Sequence, residues 1–496
     1  MMPSQISLVG LGVMGKSLAL NLVDHGFNVA GFDIDPHHRQ AAREAALPLN
    51  QASGKGQLTV VDSLSQLLAS LQTPRVIALS VPAGEVVDQV IDELLAAGLA
   101  PDDIVIDTGN SLWTDSERRA RDYQGQLRFF NTAISGGEVG ARTGPSLMAS
   151  GDASAWAQVK PMWLAIAAKV DHAGQPVGQF EQGEPCAAYL GGAGVGHYVK
   201  MVHNGIEYAD MQLIAEAYHF MSQALGLSAV EIGQCFARWN QGPLNSYLMA
   251  ISAEILQTPD PITGKPFVEV VLDKAGQKGT GMWTAVNALQ TGVAAPTIAQ
   301  AVFARAQSGL KAVRVAAAKT RTNSASVAYD DIDTQLENLH DALYCAKLSV
   351  YAQGFDLINT TAQQQGWTLD FAQIAKIWRA GCIIRAQCLS EIASAYQQTL
   401  DVANLLLVAP FAEAMSRQAS GWRATVASAA QAAVPIPAMA ASLSYFDALH
   451  SEVLPANLLQ AQRDYFGAHG YARVDDDGSR LYHLTWSEQP KRQQTR

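Results

Sequence analysis

The run Gly10-Leu11-Gly12-Val13-Met14-Gly15 constrains this chain more than any other feature. It is a GxGxxG with informative neighbours. Before it, Ile6–Val9 is short, apolar and mostly β-favouring. After it, residues 16–25 have helical spacing, with Leu18, Leu22 and Val23 on one face. Gly26 follows as a helix terminator, and Phe27–Phe32 reads as a second strand ending at Asp33. Glycine-rich turns alone can produce a GxGxxG. Strand, glycines, helix, strand and acidic residue in this order point to a dinucleotide-binding βαβ unit. The first two glycines permit a tight turn and close approach of backbone to pyrophosphate, and the third permits close helix–strand packing. The helix N-terminus offers unpaired N–H groups and partial positive charge to phosphates.

Further short apolar runs, Val76–Val81, Ile104–Asp107 and Phe129–Ile134, alternate with helix-like segments. They predict a mostly parallel sheet covered on both faces. The loops Pro82-Ala83-Gly84 and Thr108-Gly109-Asn110-Ser111 fall at strand C-terminal ends, the edge where open α/β sheets bind ligands. Taken singly, each is as well explained by ordinary turn chemistry. The expected dinucleotide contacts from these loops are Gly10, Leu11, Gly12, Val13, Met14, Gly15, Asp33, Val81, Pro82, Ala83 and Asn110.

From about residue 194 long helical periodicities take over and strand signals almost vanish. A chain of 496 residues is too long for one core. The expectation is an α/β Rossmann-type N-terminal domain, then a large all-α domain and a C-terminal tail, divided as 1–193, 194–450 and 451–496. The first boundary lies at the glycine-rich 191–196, a second shift comes near Pro435–Pro437, and the residues after Trp486 are a polar extension.

A net charge of −11 argues against a general nucleic-acid binder but not against an anionic substrate, because a local Lys/Arg cluster can focus a positive field. The five cysteines, Cys186, Cys235, Cys345, Cys382 and Cys388, form no CxxC pair. They are expected to be buried thiols in a reducing compartment, with neither a disulfide framework nor a metal site. The N-terminus carries no secretory pattern and no apolar run is long enough to span a bilayer, so no membrane partner is expected and the cytoplasm is the expected location.

The most chemically loaded helix is His197–Tyr208, HYVKMVHNGIEY. Lys200 and Glu207 are seven residues apart, about 20° around a helix and roughly 10 Å along it. His203 and Asn204 lie between them on the same side. A base and an acid held at two points along a small polyol would have this form; a solvated Lys–Glu face is the bland alternative. Met201, Val202 and Ile206 flank the polar residues and argue for burial. Further on, Lys278-Gly279-Thr280-Gly281 suits a loop that closely approaches an anion, or a simple helix connection. Arg305, in an apolar stretch, is either a guarded phosphate- or carboxylate-binding cation or a salt-bridge partner.

Four motifs in order carry a family resemblance: Ala133–Met148 (AISGGEVGARTGPSLM), His197–Leu213 (HYVKMVHNGIEYADMQL), Leu272–Trp283 (LDKAGQKGTGMW) and Gln460–Tyr471 (QAQRDYFGAHGY). Together they closely resemble the decarboxylating 6-phosphogluconate dehydrogenase family in its long-chain form, from the first strand to about Trp486. The resemblance implies a cytoplasmic, pentose-phosphate-pathway homodimer whose tail reaches into the partner subunit. It implies that Lys200 takes the C3 hydroxyl proton of 6-phosphogluconate as C3 gives hydride to the nicotinamide. The β-keto acid then loses CO₂, and Glu207 protonates C1 of the enediol to give ribulose 5-phosphate. Asn110, Ser135, Gly136, Gly137, His203 and Asn204 match positions around the sugar acid. Tyr208, Lys278, Arg305 and, from the partner's tail, Arg463 and His469 match the phosphate end. A lysine base needs a depressed pKa, which burial and nearby cations promote.

The chain departs from the family pattern after the second strand. NADP-dependent members usually carry an Asn-Arg-Thr-like triplet whose arginine grips the 2′-phosphate; here Asp33, Ile34 and Asp35 align with it. Asp33 can accept from a free ribose 2′-hydroxyl. Against a 2′-phosphate each carboxylate costs about 1–4 kcal/mol at roughly 4 Å, or about ten- to several-hundred-fold in affinity. NAD is thus the expected cofactor, with NADP use still possible through His37, His38 and Arg39. Pro82 also replaces a frequent lysine, and the 191–196 loop lacks an acidic pair common in relatives. Two rivals stand beside this reading: a non-decarboxylating β-hydroxyacid dehydrogenase and a non-enzymatic dinucleotide-binding paralogue. Glu207, Lys278, Arg305 and the Arg463/His469 tail weigh against the first, and the Lys200/Glu207 pair against the second.

Overall fold

A computed structural model describes residues 3–320, 329, 331–399 and 402–495. They form two compact units, 1–442 and 443–496.

The first unit begins with an eight-stranded sheet. In chain order its strands are β1 (Ile6–Val9), β2 (Val29–Phe32), β3 (Leu58–Val60), β4 (Val76–Leu79), β5 (Ile104–Asp107), β6 (Arg128–Ser135), β7 (Ser146–Gly151) and β10 (Ala187–Tyr189); β8 (Lys169–Val170) and β9 (Glu184–Pro185) form a separate small ladder. The order across the sheet is β10-β7-β6-β5-β4-β1-β2-β3. All pairings in it are parallel except β6 with β7, so the expected mostly parallel sheet holds. The helices between the strands are α1 (Val13–Asp24), α2 (Pro36–Asn50), α3 (Leu64–Ser70), α4 (Glu85–Ala96), α5 (Trp113–Asp122), α6 (Gly137–Thr143) and α7 (Ala153–Ile166). Apolar clusters cover both sheet faces, one around Leu18, Leu22 and Trp163, the other around Leu67, Val87 and Ile91. Strands packed on both faces are largely apolar, and β1, β4 and β5 are buried along their whole length.

The sequence expectation missed β3, β7 and β10. Two are three residues long, and β7, SLMASG, contains no β-branched residue; they are strands because an existing sheet edge pairs with them. The second strand starts at Val29, two residues later than expected.

After Tyr189 the first unit is helical. The central element is α8 (Val195–Gln223), 29 residues long and buried almost continuously through its first half. It is followed by α9 (Ala229–Trp239), α10 (Tyr247–Gln257), α11 (Phe267–Val270), α12 (Thr280–Thr291), α13 (Pro296–Ser308), α14 (Lys311–Thr320), α15 (Ile332–Gln365), α16 (Phe371–Ile377), α17 (Cys388–Gln398), α18 (Phe411–Gln431) and α19 (Pro437–Leu449), the last of which runs past the end of the first unit at Ser442. Helix α8 packs against α12, α13, α15 and strand β6, which brings its N-terminal half to the sheet. The N-terminal turn of α19 is fixed by Glu216 of α8, whose carboxylate accepts the N–H groups of Ala438 and Met439 at 2.9 and 2.8 Å.

The second unit holds α20 (Ala456–Gly467) and the hairpin β11 (Tyr482–Leu484) with β12 (Gln493–Thr495). Asp464 organises it, accepting from the N–H groups of Gly470 and Leu484, His483 Nδ1 and Trp486 Nε1 at 2.9–3.1 Å. Burial alone would raise the pKa of this carboxyl, but its four donors pull it down to about 2. All five cysteines are buried free thiols. No helix among the described residues is long and apolar enough to cross a membrane.

Candidate active site

The glycine loop connects β1 to α1, and its geometry explains each glycine. Gly10 has φ +94°, and a Cβ there would meet the Ser80 carbonyl oxygen at 2.3 Å. At Gly15 a Cβ would meet the Gly10 carbonyl oxygen at 1.9 Å, so the third glycine is required by packing. At Gly12 a Cβ would enter open space. Gly12 is the N-cap of α1 and provides no side-chain cap, leaving the first N–H groups of α1 for an external acceptor. A side-chain-free cradle over an uncapped helix end fits a dinucleotide pyrophosphate.

The cradle opens into a cleft of about 1180 Å³. Its walls include Gly12–Gly15, Val81, Pro82, Ala83, Gly109, Asn110, Ser135, Gly136 and Gly137 from the sheet domain, and Lys200, Asn204, Glu207, Tyr208, Lys278 and Arg305 from the helical part. Residues up to 371 positions apart in sequence are thereby gathered around one space, Gly12 at one extreme and Ile383 at the other.

Gly10 and Leu11 are not part of this wall; they support the loop from behind. The Leu11 N–H donates to Asp33 Oδ2 at 2.6 Å, and the Asp35 N–H donates to Asp33 Oδ1 at 2.8 Å. His38 Nδ1 also lies 3.2 Å from Asp33 Oδ2. Asp33 is therefore buried and braced. Asp35 is the N-cap of α2 and accepts the His37 N–H at 2.8 Å, while Ile34 is 88% exposed. Arg39 turns its guanidinium to the carbonyls of Asp33 (2.7 Å) and Ile34 (3.2 Å), with Nε 3.2 Å from Asp62 Oδ1. The cation nearest this corner is thus already engaged.

Lys200 is 6% exposed, and its Nζ donates to Ser135 Oγ at 2.8 Å. His203 is fully buried behind it, Nδ1 3.3 Å from Lys200 Nζ and 3.1 Å from Asn204 Oδ1, Nε2 3.4 Å from Ser135 Oγ. The His203 ring meets Trp378 edge-on at 5.6 Å. His203 thus contacts Lys200 and Ser135 rather than the cleft wall. Burial lowers the Lys200 pKa, with Glu207 opposing. Neighbouring cations, which the sequence argument also invoked, are not the cause. Burial likewise drops His203 well below its usual pKa, helped by Lys200, so the imidazole is neutral. Glu207 is pushed the other way: burial raises its pKa, against Lys200 and Arg305. Desolvation favours the neutral form of both groups, an amine able to accept a proton and a carboxylic acid able to donate one.

At the far end, Arg305 stacks on the Tyr208 ring 3.6 Å from its centroid and donates to the Gly276 carbonyl at 3.1 Å. The Lys278 N–H donates to Tyr208 Oη at 3.3 Å. Gly279, φ +98°, caps α12. Gly281 serves packing rather than anion approach, because a Cβ there would meet the Tyr208 ring at 2.3 Å. Thr280 of the expected anion loop lines the cleft, and Met211, Gln277, Trp283 and Ile383 do so beyond the expected residues. Gln277 and Trp283 sit in the same motif as Lys278, which was the available signal; Ile383 has no local one. Arg463 and His469 belong to the second unit, where both are exposed; Arg463 donates to Gln460 Oε1 at 3.1 Å.

Two family models match the chain: the NAD binding domain of 6-phosphogluconate dehydrogenase over residues 5–174 and the 6-phosphogluconate dehydrogenase C-terminal domain over residues 196–486. A decarboxylating 6-phosphogluconate dehydrogenase of Treponema pallidum is 45% identical, over 98% of this chain and 97% of that protein. The NADP(+)-dependent decarboxylating 6-phosphogluconate dehydrogenase of Bacillus subtilis is 43% identical, over 98% and 100%. Among solved structures, Plasmodium falciparum 6-phosphogluconate dehydrogenase, studied in its apo form and in complex with NADP+ and with 6-phosphogluconate, superposes with a TM-score of 0.90 at 37% identity, covering 97% of this chain and all of that one.

Proposed function

The chain belongs to the 6-phosphogluconate dehydrogenase family, and from that premise we propose how its cleft oxidises and decarboxylates 6-phosphogluconate, and that it does so with NAD in preference to NADP. The activity is that of a decarboxylating, nicotinamide-dependent oxidoreductase, with 6-phosphogluconate as substrate and ribulose 5-phosphate and CO₂ as products. The observation that carries the assignment of roles is the pairing of Lys200 and Glu207, two desolvated groups of opposite type on one helix and in one cleft.

The bound nicotinamide supplies the acceptor for hydride leaving C3. Lys200, as a neutral amine, takes the C3 hydroxyl proton at Nζ while Ser135 Oγ holds that nitrogen in place. The ammonium so formed donates a hydrogen bond to the new C3 carbonyl. As the C1–C2 bond breaks and CO₂ leaves, its electron pair moves into C2=C3, and Lys200 returns the proton to the carbonyl oxygen. Glu207 then protonates the former C2, now C1 of the enediol, and Lys200 removes the hydroxyl proton to restore the ketone. His203, neutral and buried, fixes Lys200 and Ser135. Asn110, Gly136, Gly137 and Asn204 surround the sugar acid, and Tyr208, Lys278 and Arg305 surround its phosphate.

The NAD preference rests on Asp33, Ile34 and Asp35, with Arg39 already bound to backbone carbonyls and Asp62. A 2′-phosphate would meet fixed carboxylates and no free guanidinium. Residues 1–193 are read as the dinucleotide domain, 194–450 as the substrate and dimerisation domain, and 451–496 as a tail that crosses to a second copy. An exposed apolar face on α20 supports self-association: Leu459 and Phe466, seven residues apart, are 58% and 72% exposed. On this reading Arg463 and His469 complete the phosphate end of the partner's cleft. Five buried thiols suit a reducing cytoplasm.

Incubation with 6-phosphogluconate and NAD, following NADH and released CO₂, tests the reaction. Reduced cofactor without CO₂ would indicate a non-decarboxylating dehydrogenase, and neither signal a binding paralogue. Steady-state kinetics with both dinucleotides tests the preference; a much higher kcat/KM with NADP would refute it. Sedimentation analysis tests the dimer.

A further inference from the structure

A buried ion cluster lies behind the loops that close one side of the cleft. Arg119, on α5, has a fully buried side chain. Its Nε and Nη2 grip both carboxylate oxygens of Asp88 on α4, at 3.0 and 2.9 Å. Nη2 also donates to the Gly84 carbonyl at 2.8 Å, and Nη1 reaches Asp107 Oδ2, at the end of β5, at 3.5 Å. Asp107 in turn accepts the Gly109 N–H at 2.9 Å and the Ser111 hydroxyl at 2.6 Å. One guanidinium therefore joins the loop after β4 to the loop after β5. Those loops supply Pro82, Ala83, Gly109 and Asn110 to the cleft wall.

The same helix reaches the catalytic helix. Ser116 of α5 pairs with His197 Nδ1 of α8 at 2.7 Å, fully buried and one helical turn before Lys200. Helix α5 thus references the two loops against the helix that carries the base.

We infer that Arg119 is a positioning residue: its fork sets the loops bearing Ala83 and Asn110 at the spacing that a nicotinamide ring needs beside Lys200. This rests on the reading of the cleft given above. A buried ion pair is weak evidence for a stability role, since well-packed apolar residues often replace one without loss. What an apolar residue cannot do is hold three acceptors from three segments in fixed directions. Arginine does this because its donors are rigidly planar, whereas lysine is a point charge on a flexible stem. Gly84, at φ +98°, is a turn without a side chain to anchor it, and its carbonyl contact with Arg119 provides that anchor.

The test uses full-length wild-type protein, Arg119→Lys and Asp88→Asn. The wild type is first assayed with 6-phosphogluconate, and the dinucleotide it prefers is used throughout; absence of turnover there would break the functional reading and not this one. Dinucleotide affinity is then read by fluorescence titration, 6-phosphogluconate affinity by calorimetry and kcat by NAD(P)H formation. A loop displaced by an ångström can cost up to about a hundredfold. Arg119→Lys is expected to weaken dinucleotide binding and lower kcat by about tenfold each, with 6-phosphogluconate binding within about twofold of wild type. Asp88→Asn, at a partly exposed site, should shift the same quantities about threefold. Binding and kcat within twofold of wild type in a folded Arg119→Lys, or equal weakening of both ligands, would overturn the inference. If Arg119→Lys fails to fold, Asp88→Asn decides on the same split.

Discussion

The two ends of the cleft are built from different materials. The dinucleotide end is backbone: a glycine loop, an uncapped helix terminus and a carboxylate, Asp33, whose oxygens are largely occupied in holding that loop. The substrate end is side chains taken out of water, with Lys200, His203 and Glu207 all shifted by burial. A backbone site costs little to keep, because its donors belong to a helix that is stable anyway. A site made of buried ionisable groups is held against a desolvation penalty, and the surrounding fold must bear it. The contrast makes the substrate end sensitive to single substitutions and to pH, and the dinucleotide end sensitive to shape and local charge.

The sharpest way to break this contrast is Lys200→Met. It should lower kcat by about 10³–10⁴ while dinucleotide affinity stays within about twofold; stopped-flow and binding titration check both, and a large loss of cofactor affinity would mean the two ends are not separable. Glu207→Gln should lower turnover by about a hundredfold through loss of the proton donor. At the other end, Asp33→Asn with Ile34→Arg should raise the NADP/NAD ratio of kcat/KM by about ten- to several-hundred-fold without changing the 6-phosphogluconate KM.

Stability should move opposite to activity. The Glu207 pKa is raised above 4.5 in the fold, so its contribution is complete below pH 4.5 and is lost as pH rises through the folded pKa. The Lys200 pKa is lowered below 10.5, so the cost of burying it is full below its folded pKa and disappears as pH approaches 10.5. Glu207→Gln and Lys200→Met should therefore both raise Tm at pH 7, Glu207→Gln by more as pH rises and Lys200→Met by less as pH approaches 10.5. A lower Tm in both variants at pH 7 would remove the desolvation argument. The smallest and most local effect concerns Asp464. With a folded pKa of about 2 against 3.8, its stabilisation of the second unit is full above pH 3.8 and lost as pH falls toward 2. Hydrogen exchange over residues 443–496 should accelerate in that window, and Asp464→Asn should accelerate it already at neutral pH.

How legible each part was in the sequence follows from the range of the interactions behind it. The glycine loop is local: Gly10, Gly12 and Gly15 are required by a turn, an open approach and a contact within six residues. The Lys200–Glu207 pair is also local, since helical geometry places residues seven apart on one side. Other features depend on partners far along the chain. The segment of α5, WTDSERRARD, is rich in charge, yet Arg119 is fully buried because Asp88, Asp107 and Gly84 converge on it. His203 reads as a substrate contact, yet it sits behind Lys200 against Trp378, 175 residues away. Strand β7 has weak β character and exists because β6 and β10 flank it.

The sequence by itself determined the dinucleotide unit, the long helix with Lys200 and Glu207 on one side, and the aspartates Asp33 and Asp35 that follow the second strand. Each is a matter of periodicity or of a glycine's missing Cβ, which the chain encodes over a few residues. Tertiary structure alone decided which charges are desolvated, and so which way Lys200 and Glu207 titrate. It also decided that Arg39 is engaged and that Gly281 is there for Tyr208. Burial and the pairing of distant charges are properties of the packed assembly; no short segment carries them.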